Sequence, residues 1–164
     1  MDENLWKIYD ANKEWIKFAD TKAIAFIAII GVIFNILTNI GSRIIILDNY
    51  NIIKILYIIS IIFLSISLLL SICCLMPQKS EVKKRNIIYY ESISTNFRNG
   101  MEYQKEIEDI ENFTPHLSSQ IYKLAKVASG KYFIVKISLI LFGLGILSIL
   151  LFFLFLFLGW SFNV

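Results

Sequence analysis

The chain has 164 residues, 57% of them hydrophobic and 18% charged, with a formal net charge of +3. Soluble domains hold about 45–50% apolar residues, so this composition excludes an ordinary soluble fold and points to a chain spent largely on membrane spans. One histidine (His116) and two adjacent cysteines inside an apolar run (Cys73, Cys74) exclude a His-rich metal centre and a disulfide framework. No glycine-rich phosphate loop, nucleophile elbow or HExxH is present, which argues against an enzyme.

The first 22 residues mix acids and bases and lead to no small-residue cleavage site, unlike a secretory signal. Leu5, Ile8, Asn12, Trp15 or Ile16, and Ala19 recur at helical spacing, so residues 1–22 are expected to form a cytoplasmic amphipathic helix. Neither Gly nor Pro separates it from residues 23–40, an uncharged stretch expected to be the first transmembrane helix. One continuous helix is the simplest arrangement; the other is a helix flat on the inner leaflet joined by a bend. Residues 41–54 are then an external link, 55–76 the second span, 132–160 the third span and 161–164 an external tail.

Between spans two and three, residues 77–131 are expected to form a cytoplasmic sensing segment. It opens at Pro77 with the basic run KSEVKKR. NIIYYESIS (residues 86–94) packs β-branched and aromatic residues into a strand or an aromatic loop, and Asn99-Gly100 is a turn signal. Met101, Tyr103, Ile107 and Ile110 suggest a short helix over 101–112. Thr114-Pro115 is a helix start, Thr as cap and Pro at the first helical position. Leu117, Ile121, Leu124, Ala125 and Ala128 form an apolar stripe on a helix expected to continue into span three.

Basic residues set the orientation. Lys7, Lys13, Lys17 and Lys22 precede span one, nine more lie in 77–131, and only Arg43 and Lys54 fall in the first link. The positive-inside rule places the N-terminus and 77–131 in the cytoplasm and the C-terminus outside. Trp6 and Trp15 suit the inner interface and Trp160 the outer one. The expected fold is an all-α membrane protein of three transmembrane helices, with long cytoplasmic extensions of spans one and three and a small cytoplasmic insertion between spans two and three.

WIKFADTKA (residues 15–23) carries Lys17, Asp20 and Lys22 at the threshold of span one. A basic flank and a tryptophan suffice for an anchor; an aspartate is not needed there. Asp20 and Lys22 are either a hydrated interfacial pair, or Asp20 meets Lys126 or Lys131 on the helix leading to span three and locks the two helices together. Ser60, Ser67 and Ser71 share one face of span two, Gly31 and Asn35 mark span one, and Gly143 and Ser148 thin span three. These positions fit close packing between spans, an oligomer seam or a pore lining.

Three segments, in order and covering nearly the whole chain, suggest a family. WIKFADTKA, NIIYYESIS followed by a short acidic helix, and SQIYKLAKVASGKYFIVKISL together resemble the transmembrane effectors of the Pycsar antiphage system (PycTM). Glu91-Ser92-Ile93 stands where that family has a glycine-containing turn. The resemblance implies an antiviral defence effector without a cofactor. It would be activated by a cyclic pyrimidine mononucleotide, cCMP or cUMP, made by a cognate cyclase. It would act as a homo-oligomer that impairs the bacterial inner membrane and causes abortive infection, with no nucleic acid polymer as partner. A pyrimidine needs rings to stack on and amides to read its edges, which nominates Tyr89, Tyr90, Phe97, His116 and Gln120, with Lys126 for phosphate. The alternative is a constitutive anchor or scaffold whose cytoplasmic helices bind a partner protein.

Overall fold

A computed structural model describes residues 2–44, 51–77, 87–108 and 113–161. They form five helices and no strand: α1 (Asp2–Ile44), α2 (Asn51–Leu75), α3 (Tyr90–Asn96), α4 (Gly100–Glu108) and α5 (Thr114–Ser161). Of these, α1, α2 and α5 are long and apolar enough to cross a membrane. At 1.5 Å per residue, α1 (43 residues) and α5 (48 residues) run about 65 and about 72 Å, more than twice a bilayer's hydrocarbon thickness of about 30 Å. The excess length carries most of their charge.

The chain divides into two compact units, Met1–Phe18 with Pro77–Lys131 and Ala19–Met76 with Tyr132–Val164. Helix α1 leaves the first unit and enters the second after Phe18, without interruption of the helix. Helix α5 makes the same passage after Lys131.

A seven-residue repeat specifies the inward face of each long helix. In α1, Leu5, Asn12, Ala19, Phe26, Ile33 and Ile40 alternate with Tyr9, Ile16, Ala23, Ile30 and Leu37, and all are buried or half-buried. In α2 the repeat is Ile53, Ser60, Ser67 and Cys74 with Tyr57, Leu64 and Ser71. In α5 it is Leu117, Leu124, Lys131, Ser138, Gly145 and Phe152 with Ile121, Ala128, Val135, Phe142, Ile149 and Leu156. A period of 3.5 keeps one seam facing its neighbours along a coiled helix. Residues between the seam positions, such as Ile8, Trp15, Val32, Ile58, Leu147 and Phe157, are exposed. Inward and outward positions along α1 therefore differ from the expected stripe: Tyr9 and Ile16 face in, while Ile8 and Trp15 face out. In α5, Gln120 is buried and Ala125 exposed.

The unit of three span-length helices packs in layers. Ala19, Ala23, Cys74 and Val135 form one cluster, Ile30, Leu37 and Leu64 the next, and Ile53 with Phe152 the last. Thus α1 and α5 run the same way and α2 runs against both. Small seam residues let the backbones approach, the general solution where lipid removes the hydrophobic drive between helices. A Cβ on Gly145 would sit 2.9 Å from Leu64 Cδ2, and one on Gly41 would collide with the Tyr57 hydroxyl, which donates to Leu37 O at 3.2 Å.

The segment expected as a strand or aromatic loop is helical from Tyr90 onward, led in by extended backbone at Tyr89. Asn99 is a helix cap and not the corner of a turn: its Oδ1 accepts from Glu102 N at 2.8 Å, and Glu102 Oε2 accepts from Arg98 N at 2.9 Å. This reciprocal pair satisfies donors that a helix start leaves open. Helix α4 ends at Glu108 and buries no residue, with Met101 76% exposed. Helix α5 includes Thr114, one residue earlier than a Thr114 cap would give; Pro115 stays in the first turn, where its missing N–H costs nothing. The run KSEVKKR, residues 45–50 of the first link, Ile110 and the last three residues lie outside the described residues, as do the side chains of Tyr90 and Trp160.

Candidate functional site

In the unit Met1–Phe18 with Pro77–Lys131, Ile87, Leu117 and Ala128 are buried, and aromatic rings pair around them. Trp6 stacks on Phe113 (6.1 Å, 26°) and meets Tyr9 edge-on, with Lys13 Nζ 5.4 Å from the Tyr9 ring centre. Such amphipathic rings bury area while their polar ends stay wet. Phe97 and Tyr103 pack edge-on at 5.1 Å, and the Tyr103 hydroxyl donates to Ile87 O at 2.7 Å. That bond ties α4 to the lead-in of α3. Ser92, fully buried, accepts from Asn96 Nδ2 at both its carbonyl (2.9 Å) and its hydroxyl (3.0 Å).

The residues nominated for a ligand take different stations. Tyr89 is half-buried, and one ring edge contact of Phe97 is taken up by Tyr103. His116 and Gln120 lie one turn apart on the same face of α5. Lys126, six residues beyond Gln120, lies on the exposed side of that helix. Gln120 stands apart: it is 4% exposed, and its Oε1 is buried with no hydrogen-bond partner. A buried acceptor without a donor costs about 1–3 kcal/mol, so this amide is positioned to receive one. The nominated charges at the helix threshold also divide: Asp20 (half-buried) and Lys22 belong to the unit of span-length helices, whereas Lys131, 5% exposed, closes the other unit.

In the span-length unit, Ser60, Ser67 and Ser71 are buried. Ser67 Oγ donates to Ser138 O at 2.9 Å and Ser138 Oγ to Ser67 O at 3.0 Å, a reciprocal clasp between α2 and α5. Ser71 Oγ lies 2.8 Å from Ser138 Oγ and 3.0 Å from Ser67 O. Ser60 Oγ donates to Leu56 O at 2.8 Å within its own helix. Sequence reading missed Ser138, although it stands on the same heptad series as Leu124, Lys131 and Gly145. Gly31, Gly143 and Asn35 are exposed, and an added Cβ at either glycine would meet nothing within 4 Å. Asn39 Nδ2 donates to Asn35 O (2.9 Å) and Oδ1 (3.0 Å), and Thr38 Oγ1 to Asn35 O at 2.9 Å. The Asn35 amide nitrogen donates no hydrogen bond among the described residues.

The chain has relatives among known proteins. A family model described as Pycsar effector protein domain matches residues 4–159, across both units. The Pycsar effector protein SaPycTM of Staphylococcus aureus is 33% identical over 136 residues, covering 80% of this chain and 81% of the relative. No solved structure matches the chain.

Proposed function

The chain belongs to the Pycsar effector family, and from that premise we propose that it is a multi-pass inner-membrane effector of antiphage defence. In this reading it binds a cyclic pyrimidine mononucleotide, cCMP or cUMP, through the unit that holds Gln120, and then impairs membrane integrity so that infection aborts. It works by binding and rearrangement and catalyses no reaction. The observation that carries the ligand reading is the buried Gln120 Oε1 without a donor. Both pyrimidines supply one, the exocyclic amine of cytosine or the ring N–H of uracil. His116, one turn from Gln120 on α5, and Tyr89 and Phe97 in the same unit offer rings.

The excess of bases before span one and in 77–131 supports a cytoplasmic location for both segments. A homo-oligomer is supported by the exposed Gly31, Asn35, Thr38 and Asn39 on one side of α1. Asn35 lies about 12 Å along the helix from Arg43, the next charge, and so within the hydrocarbon. An amide there gains a partner when a second copy covers it, and a glycine one turn away permits close approach.

The test is titration calorimetry of the purified full chain with cCMP, cUMP and their purine counterparts, beside a membrane-potential dye assay in cells given the same nucleotides. Pyrimidine-selective binding lost in Gln120→Leu, with depolarisation on addition, is the expected result. Binding of no cyclic nucleotide and an intact potential would sink the effector reading and favour a constitutive scaffold.

A further inference from the structure

A groove of ≈ 550 Å³ opens between α1 and α5, lined by Lys22, Phe26, Tyr132, Val135, Lys136 and Leu139, with Phe133 on its flank. Its volume lies within the roughly 300–1,000 Å³ of small-ligand sites. Lys22 and Phe26 are one turn apart on α1. Tyr132, Val135, Lys136 and Leu139 follow at i, i+3, i+4 and i+7 on α5, so each helix contributes one face. The floor is firm: Ala23, Cys74 and Val135 are buried together behind it, with Phe26 and Tyr132 packed against them.

The groove has a polarity. Lys22 is the last charge of α1 before Arg43, and Lys136 is the last charge of α5. Because the two helices run the same way, both amines mark the same membrane boundary. Phe26 and Leu139 lie about 5–6 Å further into the apolar stretch. The Lys22 ammonium sits 5.9 Å from the centre of the Tyr132 ring, within cation–π reach, which fixes it beside the groove. Lys136 is exposed, and among the described residues no carboxylate lines the site. Two cations at the water edge and an aromatic–aliphatic slot directly beneath fit one kind of molecule: an anion joined to a hydrocarbon chain.

We propose that this groove binds an anionic phospholipid, its phosphate between Lys22 and Lys136 and the start of an acyl chain along Phe26, Val135 and Leu139. Basic recesses between membrane helices are a general solution to phosphate headgroups. A bound lipid here bridges α1 and α5 where each passes from charged to apolar sequence, so lipid composition becomes an input to the membrane unit. This site is independent of the nucleotide reading above, whose residues lie in the other unit.

The test is native mass spectrometry of the full chain in neutral detergent, titrated with phosphatidylglycerol or phosphatidylcholine. The expected result is selective retention of phosphatidylglycerol, weakened about tenfold or more in Lys22→Gln/Lys136→Gln and unchanged in Lys105→Gln/Lys123→Gln. A photoactivatable phosphatidylglycerol on the unmodified protein, which needs no variant to fold, is expected to crosslink within residues 22–26 or 132–139. Equal retention of both lipids, undiminished retention in the groove variant, or crosslinks elsewhere would overturn the proposal. Displacement of the lipid by inorganic phosphate or a cyclic nucleotide would also overturn it, by assigning the cations to a soluble phosphate.

Discussion

The two units share ring contacts, such as Phe26 on Phe142 in the span-length unit, but differ in what joins their helices besides. Between Ala19 and Met76 and beyond Tyr132, the seam is Ala, Ser, Cys and Gly interleaved with Leu, Ile and Phe. Backbones come close, and hydroxyls clasp carbonyls across helices. In the other unit no serine clasp is seen among the described residues: Trp6 pairs with Phe113 and Phe97 with Tyr103, and a tyrosine hydroxyl, a serine–asparagine pair and an asparagine cap make polar contacts. The difference follows the solvent. Burying an aromatic ring from water is favourable by its area; in hydrocarbon the same transfer gains nothing, and only contact density and hydrogen bonds distinguish a helix neighbour from lipid.

Substitutions can break this contrast. Gly145→Leu puts a branched side chain where Leu64 already lies 2.9 Å from a Cβ, and is expected to destabilise the span-length unit by about 3 kcal/mol or more. Thermal unfolding in micelles measures it, and a well-folded variant would refute the close-approach account. Gln120→Leu is expected to act in the opposite sense in the other unit. Removing an orphan acceptor should stabilise by about 1–2 kcal/mol while abolishing pyrimidine binding; a lower melting temperature would show that the amide supports the fold. Tyr103→Phe loses the 2.7 Å bond to Ile87 O, at about 1 kcal/mol, and should raise amide exchange locally over 87–96. Ser138→Ala is expected to cost least, about 0.6 kcal/mol, since Ser71 keeps Ser67 O as an acceptor within α2. If Ser138→Ala exceeded Gly145→Leu, hydrogen bonding and not contact density would hold the spans together.

Much of the fold was legible because lipid imposes blunt rules. Twenty-residue uncharged runs read as helices of span length, and the absence of Gly or Pro around Lys22 read as continuity. Finer assignments failed where two periods nearly coincide. Ile8 and Trp15 fit a 3.6-residue stripe as well as Leu5 and Ile16 do, and only the heptad extended from Leu5 to Ile40, about ten turns, separates them. NIIYYESIS carries strand-like composition, yet Ser92 and Asn96 bond to each other at helical spacing, a local choice that tertiary context decides. Gln120 was nominated for its chemistry alone; its burial could not be foreseen, because Ala125 and Ile121 looked like the better core residues. Ser138 went unnoticed because a lone serine in an apolar run carries no signal until its partners on α2 are known.

The unbroken heptad of α1 gives the helix a phase as well as a length. Leu5, Asn12, Ala19, Phe26, Ile33 and Ile40 are teeth on one gear, and the helix runs unbroken through Phe18 and Ala19. Adding one residue there would advance every later tooth by about 100°, turning Ala23, Ile30 and Leu37 off the seam. Adding seven would return them nearly to register.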